Sequence, residues 1–224
     1  MRSRVTWQQW LTTWVLYNMI IGLVGFIGSG KGTIADMLVR KHGFIKESFA
    51  NAVKDACAPI FGWDRQMLEG DTPESRQWRE TPDEFWSKAF GKPFSPRYAL
   101  QLMGTEAGRN VFHRDVWVLS LIRRTDPNKN YVLADVRFPN EIDMIREHGG
   151  RVIRVRRGPE PKWYDTAEAY NVTTDWDGSI QQMKAFPDIH YSEWAWIGKG
   201  FDAEVSNSTT LEDLEKKVAS LTQL

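Results

Sequence analysis

The chain has 224 residues, 42% of them hydrophobic, which is enough to bury one sizeable core or a core with a small subdomain. Its 29 Lys and Arg residues balance 29 Asp and Glu residues. This balance argues against DNA or RNA as the main partner, because polyanion-binding proteins usually carry a basic excess. The single cysteine, Cys57, excludes an internal disulfide and indicates a reducing, cytoplasmic setting.

Residues 1–18 precede the first predicted strand and have a different pattern. Polar residues such as Gln8 and Thr12 interrupt the apolar stretch, and no apolar run reaches the roughly 18 residues that a membrane span needs. We therefore expect no membrane segment. We expect Met19 to be the natural start, residues 1–18 to be a disordered or non-native extension, and residues 19–224 to form a single domain.

Runs typical of strands and helices alternate along the rest of the chain. The expected strands are 20–24, 44–49, 131–134, 151–155 and 203–206. The expected helices are 33–42, 50–61, 97–111, 115–124, 140–148 and 210–221. Such alternation predicts an α/β protein with a mainly parallel sheet. Two long segments, about 62–96 and about 158–200, are expected to be irregular apart from a helix at 83–90, and long excursions of this kind are typical of lids or binding loops.

A glycine-rich loop joins the first strand to the first helix. Gly25 to Lys31 fits the pattern G-x-x-x-x-G-K, although the hydroxyl residue comes one position late, at Thr33. In this setting backbone N–H groups and the helix N-terminus can hold phosphate, Lys31 can reach the β- and γ-phosphates, and Thr33 or Ser29 can assist with phosphate or metal. The predicted ATP-binding residues here are Gly28, Ser29, Gly30, Lys31, Gly32 and Thr33. The alternative is a plain turn before a helix.

A second phosphate-handling segment follows the strand at 131–134. Asp135 lies at the carboxyl end of that strand, which is the ligand edge of an open α/β sheet, and is placed to order Mg²⁺ together with Thr33. Two residues later, Arg137 can clamp a phosphate through both its guanidinium nitrogens. We predict Lys31, Asp135 and Arg137 as the catalytic set. The alternative is that Asp135 caps the following helix and pairs with Arg137.

These motifs, together with further short pieces, resemble the deoxynucleoside monophosphate kinases of tailed bacteriophages. The Gly32-Thr33 ending of the loop is similar to nucleoside monophosphate kinases in general. The further pieces, spread over residues 19 to 224, include Glu74-Ser75-Arg76, Leu102-Met103-Gly104-Thr105-Glu106, Asn140-Glu141, His190 with Ser192-Glu193, and Ser206-Asn207.

The resemblance implies a P-loop kinase fold with helices on both sheet faces, a monophosphate-binding insertion and a lid. It implies that ATP, with Mg²⁺, phosphorylates a deoxynucleoside monophosphate to the diphosphate for DNA precursor synthesis, in the host cytoplasm if the chain is phage-encoded. Arg157 is expected near the ATP phosphates, although a solvated rim position is an alternative. The implied acceptor-nucleotide residues are Val53, Lys54, Arg76, Arg97, Gly104, Thr105, Trp117, Asp135, Arg137, Asn140 and Glu141.

Two other functions remain open at this point. The chain could be another small-molecule P-loop kinase, of the adenylate or dephospho-coenzyme A kinase type, or a nucleotide-binding regulator without transferase activity. The sequence also leaves open which bases are accepted, whether ribonucleotides are excluded, and whether the protein is a homodimer. Some members of the resembled family carry a basic residue where this chain has Ile27, so one phosphate contact is in doubt.

Overall fold

A computed structural model describes residues 19–172 and 183–223. The chain divides into two compact units, which are described separately below. The sheet unit comprises Met1–Ser48 and Thr125–Leu224, and the helical unit comprises Phe49–Arg124. The predicted extension 1–18 and part of the predicted lid, 173–182, lie outside the described residues. That residues 19–224 act as a single domain stays a prediction, as do the boundaries of the insertion and the lid.

The sheet unit is built on a five-stranded, wholly parallel sheet in the order β2-β3-β1-β4-β5. The strands are β1 Ile20–Val24, β2 Ile45–Glu47, β3 Tyr131–Leu133, β4 Arg151–Arg156 and β5 Ala203–Ser206. The helices of this unit are α1 Lys31–His42, α7 Pro139–Glu147, α8 Tyr164–Val172 and α9 Leu211–Leu221, with a 3₁₀ turn at Tyr191–Glu193. The prediction of an α/β fold with a mainly parallel sheet is confirmed.

Helices cover both faces of this sheet. On one face Ile21 and Leu23 pack into a core with residues of α1 and α9, such as Leu38 and Val218. Gly22 points to the opposite face because successive strand residues alternate. A Cβ added to Gly22 would lie 2.4 Å from the side chain of Ile145 on α7. The absence of a side chain at Gly22 therefore lets α7 approach the central strand closely.

The parallel arrangement brings the segments after all five strands to one edge of the sheet. The glycine-rich loop follows β1 and Asp135 follows β3 within two residues. Ser48, Arg157 and Asn207 directly follow β2, β4 and β5. Residues that are far apart in sequence therefore meet at the carboxyl edge, and this edge is the place to search for a functional site.

The helical unit carries its own core. Its helices are α2 Asn51–Phe61, α3 Pro73–Glu80, α4 Glu84–Phe90, α5 Pro96–Gln101 and α6 Val116–Arg124, with a 3₁₀ turn at Met67–Glu69 and a π-helical segment at Leu102–Phe112. The aromatic rings of Phe61, Trp63, Trp86 and Phe94 pack against one another, with Phe61 and Trp63 stacked at 4.6 Å between centroids.

Two segments that were expected to be irregular contain helices. Helix α3 lies within the predicted insertion. Thr72 caps its N-terminus, because the Thr72 side chain accepts a hydrogen bond from the N–H of Ser75, and Pro73 occupies the first helical position. Helix α8 lies within the predicted lid. Also within that segment, Trp196 and Ile197 are almost completely buried. The expectation of irregular structure was therefore wrong at α3 and α8. Across the described ranges, no helix is long and apolar enough to cross a membrane.

Candidate active site

The loop between β1 and α1 has a backbone that its glycines permit. Gly28 has φ 80° and Gly30 has φ 101°, values that residues with a side chain rarely adopt. Gly30 also lacks room for a side chain, since an added Cβ would lie 2.1 Å from the amide nitrogen of Asn207. That amide donates a hydrogen bond of 2.9 Å to the carbonyl oxygen of Ser29. The segment after β5 therefore fixes the loop.

Aromatic packing anchors the same loop from its other side. The ring of Phe26 contacts Trp163 and Trp196, with centroid distances of 5.4 Å and 5.2 Å. Trp163 and Trp196 both belong to the predicted lid region, 158–200. The described parts of that region thus support the base of the loop.

Lys31 is the first residue of α1 and turns back over the loop. Its Nζ donates hydrogen bonds to the carbonyl oxygens of Gly25 at 2.6 Å and Phe26 at 2.9 Å. Burial, together with the charge of Arg137, lowers the pKa of Lys31 to about 8, while the carboxylates of Glu193 and Asp135 act in the opposite direction. Lys31, Asp135 and Arg137 were predicted to act together, and the structure places their charges within interaction range.

Ser29 carries a buried hydroxyl for which residues 19–172 and 183–223 provide no hydrogen-bond partner, although the residue is only 4% exposed. A buried hydroxyl without a partner is unfavourable, typically by 1–3 kcal/mol. Ser29 lies in the strained loop, beside backbone N–H groups that follow positive-φ glycines. A phosphate oxygen is a ligand that would satisfy it, so the loop fits the triphosphate of a nucleotide.

Asp135 and Arg137 are each held by residues distant in sequence. The hydroxyl of Ser48 donates a 2.6 Å hydrogen bond to Asp135 Oδ2. The guanidinium of Arg137 forms an ion pair with Glu193 and donates a 3.5 Å hydrogen bond to the hydroxyl of Ser192. Ser48 and Glu193 were absent from the predicted site residues.

Glu141 has a backbone-capping position in this structure. It is 2% exposed, and its Oε2 accepts hydrogen bonds from the backbone N–H groups of Arg137 at 2.7 Å and Phe138 at 3.0 Å. This fixes the first turn of α7 and the backbone of Arg137. Asn140, also assigned by resemblance to the acceptor pocket, lies half-buried on the same turn.

A pocket opens beside the loop within the sheet unit. The loop contributes Ile27 and Ser29 to its lining, and the segment after β4 contributes Arg157 and Glu160. Ile27 is 70% exposed. Arg157 is exposed as well and lines the pocket. Both of its predicted positions, contact with phosphate and solvated rim, are compatible with this placement.

The residues predicted to bind magnesium, Thr33 and Asp135, both carry oxygen donors. Within residues 19–172 and 183–223, no group of three or more His, Cys, Asp or Glu side chains could hold a metal ion. Mg²⁺ does not need such a group, because it commonly binds one or two carboxylates, substrate phosphates and waters. Asp135 at the carboxyl edge and the exposed hydroxyl of Thr33 on α1 suit this mode of binding.

In the helical unit, the predicted acceptor cations are bound to their own chain. Lys54 is 9% exposed, and its Nζ donates a 2.5 Å hydrogen bond to Glu69. Arg76 donates to the carbonyl oxygens of Gly70 at 2.9 Å and Asp71 at 3.0 Å. Arg97 lies 4.0 Å from Glu80. These contacts hold the cations in place within the unit.

The other predicted acceptor residues of this unit are mostly packed. Trp117 is 8% exposed, and its indole N–H donates a 2.8 Å hydrogen bond to the carbonyl oxygen of Gly104. Val53 is 5% exposed and belongs to the core of the unit. Thr105 is half-buried on the π-helical segment. Trp117 and Gly104 are thus neighbours, and Thr105 follows Gly104 directly. That these three residues contact the acceptor stays a prediction.

A further cation of the helical unit, Arg79, was not among the residues predicted from the sequence. Its guanidinium donates to the carbonyl oxygens of Leu68 at 3.3 Å and Glu69 at 3.2 Å. Burial, together with the charge of Arg97, lowers the pKa of Arg79. Its position three residues after Arg76 on a helix is the only local feature that could have indicated it, and that feature is weak.

Two viral proteins are similar to the chain in sequence. The deoxynucleoside-5'-monophosphate kinase of Escherichia phage T5 is 48% identical, over 58% of this chain and 72% of the phage protein. A protein of Acanthamoeba polyphaga mimivirus, named as a deoxynucleotide monophosphate kinase, is 37% identical, over 62% of this chain and 74% of the viral protein. No family model matches the chain.

Among solved structures, shikimate kinase from Aquifex aeolicus matches 92% of this chain and 96% of its own, with 12% identity and a TM-score of 0.41. Dephospho-CoA kinase from Campylobacter jejuni matches 92% and 96%, with 15% identity and a TM-score of 0.36. The P-loop kinase fold rests on the strand order and on the phosphate loop that follows the central strand.

Proposed function

Because the chain belongs to the deoxynucleoside monophosphate kinase family, we propose that it transfers the γ-phosphoryl group of ATP to a deoxynucleoside monophosphate and releases the diphosphate. The observation that carries this proposal is the loop at the carboxyl edge, where the unsatisfied Ser29 hydroxyl, Lys31 and Arg137 lie together. Phosphoryl transfer depends mainly on positioning and on neutralising charge, and this cluster is suited to both.

The loop binds the triphosphate in this proposal. Gly28, Ser29, Gly30 and Gly32 contribute backbone N–H groups, and the hydroxyl of Ser29 gains the partner it lacks. Lys31 exchanges the carbonyl oxygens of Gly25 and Phe26 for phosphate oxygens. The exchange is favourable because phosphate carries full negative charge, whereas a carbonyl is only a dipole. Arg157 supports the ATP phosphates from the segment after β4.

Thr33 and Asp135 are the residues that we propose to hold Mg²⁺. When bound, the ion neutralises charge on the phosphate oxygens during transfer. Asp135 is already oriented by its hydrogen bond from Ser48, so the carboxylate needs little reorganisation.

Arg137 neutralises the second phosphoryl group. A guanidinium binds phosphate through two parallel N–H groups, and this geometry suits the transferring group as well as the acceptor phosphate. The bonds from Glu141 to the backbone fix the position from which the Arg137 side chain extends. No general base is needed, because the chemistry relies on alignment and charge.

For the helical unit, we propose that Lys54, Arg76 and Arg97 bind the acceptor phosphate and that Gly104, Thr105 and Trp117 contact its nucleoside. Support comes from the family resemblance and from the contact between Trp117 and Gly104 within the unit. Val53 contributes to this unit by packing. In the sheet unit, Glu141 caps the backbone of Arg137, and Asn140 lies on the same turn. We propose that the protein acts in the cytoplasm, which is that of the host if the chain is phage-encoded.

A substrate panel tests the function. A coupled assay with ATP and Mg²⁺ should show phosphorylation of at least one of dAMP, dCMP, dGMP and dTMP. AMP and dephospho-coenzyme A, the acceptors of the competing kinase types, serve as comparators. Failure with every deoxynucleoside monophosphate while a comparator reacts would assign the loop to another small-molecule kinase. ATP binding without any transfer would indicate a regulator.

A further inference from the structure

The 3₁₀ turn Tyr191–Glu193 lies against the phosphate site, although it is far from that site in sequence. Glu193 is 56 positions after Arg137 and forms an ion pair with its Nη1. The same nitrogen donates to the hydroxyl of Ser192 at 3.5 Å. One guanidinium nitrogen of Arg137 is therefore engaged by two successive residues of this turn.

The turn itself is internally fixed. Ser192 is 8% exposed, and its backbone N–H donates to Nδ1 of His190 at 3.2 Å. The hydroxyl of Ser192 lies 2.8 Å from the same nitrogen. Because Nδ1 accepts from the backbone, the Ser192 hydroxyl donates to it and keeps an oxygen lone pair for Arg137. Immediately after the turn, Trp194 and Trp196 are buried and attach the turn to the core of the sheet unit.

Glu193 also acts on the loop through its charge. Its charge acts on Lys31 with the opposite sign to that of Arg137. Two cations, Lys31 and Arg137, thus lie together at the carboxyl edge with the carboxylates of Asp135 and Glu193. Asp135 has a proposed role in ordering the metal ion, whereas Glu193 has no role in metal or phosphate binding in the proposed function. A carboxylate beside a phosphate site repels the substrate, so its presence requires a compensating role.

We propose that Glu193 is a positioning residue for phosphoryl transfer: by binding one edge of the Arg137 guanidinium, it directs the remaining N–H groups of Arg137 toward the phosphate. This inference rests on the proposed kinase function and deepens it. An arginine side chain has many rotamers, and fixing it before the substrate binds removes part of the ordering entropy. Glu141 fixes the backbone of Arg137 and Glu193 fixes its guanidinium, so the residue is held at both ends.

The test is a double-mutant cycle on Glu193 and Arg137. The four proteins are the full-length chain, Glu193→Gln, Arg137→Ala and the double variant, and kcat/KM is measured for the best deoxynucleoside monophosphate at saturating ATP. We expect Glu193→Gln to lower this value about tenfold with the KM for ATP changed less than about twofold. In the Arg137→Ala background, Glu193→Gln should have no further effect, because it acts through a side chain that is absent.

Two further variants separate positioning from a general structural role. Glu193→Asp keeps the charge and should restore activity in part, and Ser192→Ala should lower activity less than Glu193→Gln does. Glu215→Gln is the matched control, because Glu215 forms a 2.6 Å ion pair with Lys41 away from the loop. Its activity should equal that of the unmodified chain. Thermal unfolding of each variant shows whether the fold is retained.

Specific outcomes would overturn the inference. Full activity of Glu193→Gln, or effects of the two substitutions that multiply independently in the double variant, would remove the positioning role. If the unmodified chain phosphorylates a deoxynucleoside monophosphate in either case, the proposed function survives and only the inference fails. If no acceptor reacts, the function fails, and the same cycle is then measured on hydrolysis of ATP by water.

Discussion

The sheet unit and the helical unit both contain clustered cations, but the hydrogen-bond and charge partners of these cations differ between the two units. In the sheet unit, Lys31 is half-buried and has a lowered pKa, and the neighbouring Ser29 hydroxyl has no partner among the described residues. In the helical unit, Lys54 is buried and is paired with Glu69, which also pairs with Arg65. The first arrangement is unfavourable without a ligand, whereas the second is satisfied by the chain itself.

This difference indicates how a site can be recognised. Burial of a cation does not by itself identify a binding residue, since Lys54 is buried more deeply than Lys31 but is paired within its own unit. Unsatisfied polar atoms and left-handed backbone at the same place are unfavourable features that a ligand can offset. The loop of the sheet unit combines both. The acceptor cations of the helical unit have contacts within their own unit, so each of them has a structural role beside any role in binding.

The largest effect is expected from Lys31→Ala. Removal of the only side-chain cation at the start of α1 should lower kcat/KM for ATP about 100-fold or more, as loss of a charged group at a transition state commonly does. The fold should persist, because Nζ contacts only carbonyl oxygens of the loop in the bonds described above. Steady-state kinetics measure the loss, and Lys41→Ala, on the exposed end of the same helix, is the control. A loss below about threefold would contradict the role of Lys31.

The next largest effect is a pH dependence of kcat/KM for ATP that arises from Lys31 in the sheet unit. The Lys31 pKa of about 8 lies below the ordinary value of 10.5, so its positive charge is present below pH 8 and is lost above it. We therefore expect kcat/KM for ATP to fall about tenfold by pH 9, as the charged fraction does. The pH profile of Lys31→Arg is informative, because arginine stays charged there. An unchanged decline in that variant would assign the titration to another group.

Lys54→Ala tests the opposite behaviour in the helical unit. Because Lys54 is buried and paired with Glu69, we expect its removal to lower the free energy of unfolding by about 1 kcal/mol. A larger loss is not expected, because the Glu69 side chain is one-third exposed and solvent screens the pair. Urea denaturation measures this change. Lys129→Ala, outside the unit and without a described ion pair, is the control. If stability is unchanged while the KM for the acceptor rises, Lys54 is a binding residue only, and the contrast between the units breaks down.

Ser29→Ala is expected to have the smallest effect. It should change stability and ATP affinity in opposite directions, which makes it diagnostic. Deletion of a buried hydroxyl without a partner should leave the free protein equally stable or stabilise it by up to about 1 kcal/mol. The same change should weaken ATP binding several-fold, since a phosphate oxygen loses its donor. Thermal unfolding and calorimetric titration with ATP measure the two quantities. Loss of stability together with unchanged ATP affinity would show that the hydroxyl serves the fold and not the nucleotide.

Much of the fold was predictable because its cues are local. Apolar runs predicted all five strands, and the Gly-rich loop was placed correctly between β1 and α1. Helices α3 and α8 were missed, since their sequences are polar or weakly amphipathic and lack a clear apolar stripe. The continuous helix expected over 97–111 is instead α5 followed by the π-helical segment, a change of hydrogen-bond register that apolar spacing does not reveal.

By itself, the sequence determined the loop, the strand ends and the residues Lys31, Asp135 and Arg137, because strand, turn and helix follow from neighbours along the chain. Only the tertiary structure decided how these residues are held. Ser48 reaches Asp135 across 87 positions and Glu193 reaches Arg137 across 56. The order of the parallel strands in the sheet brings these partners together. That order depends on the packing of the whole sheet, so local sequence patterns do not determine it.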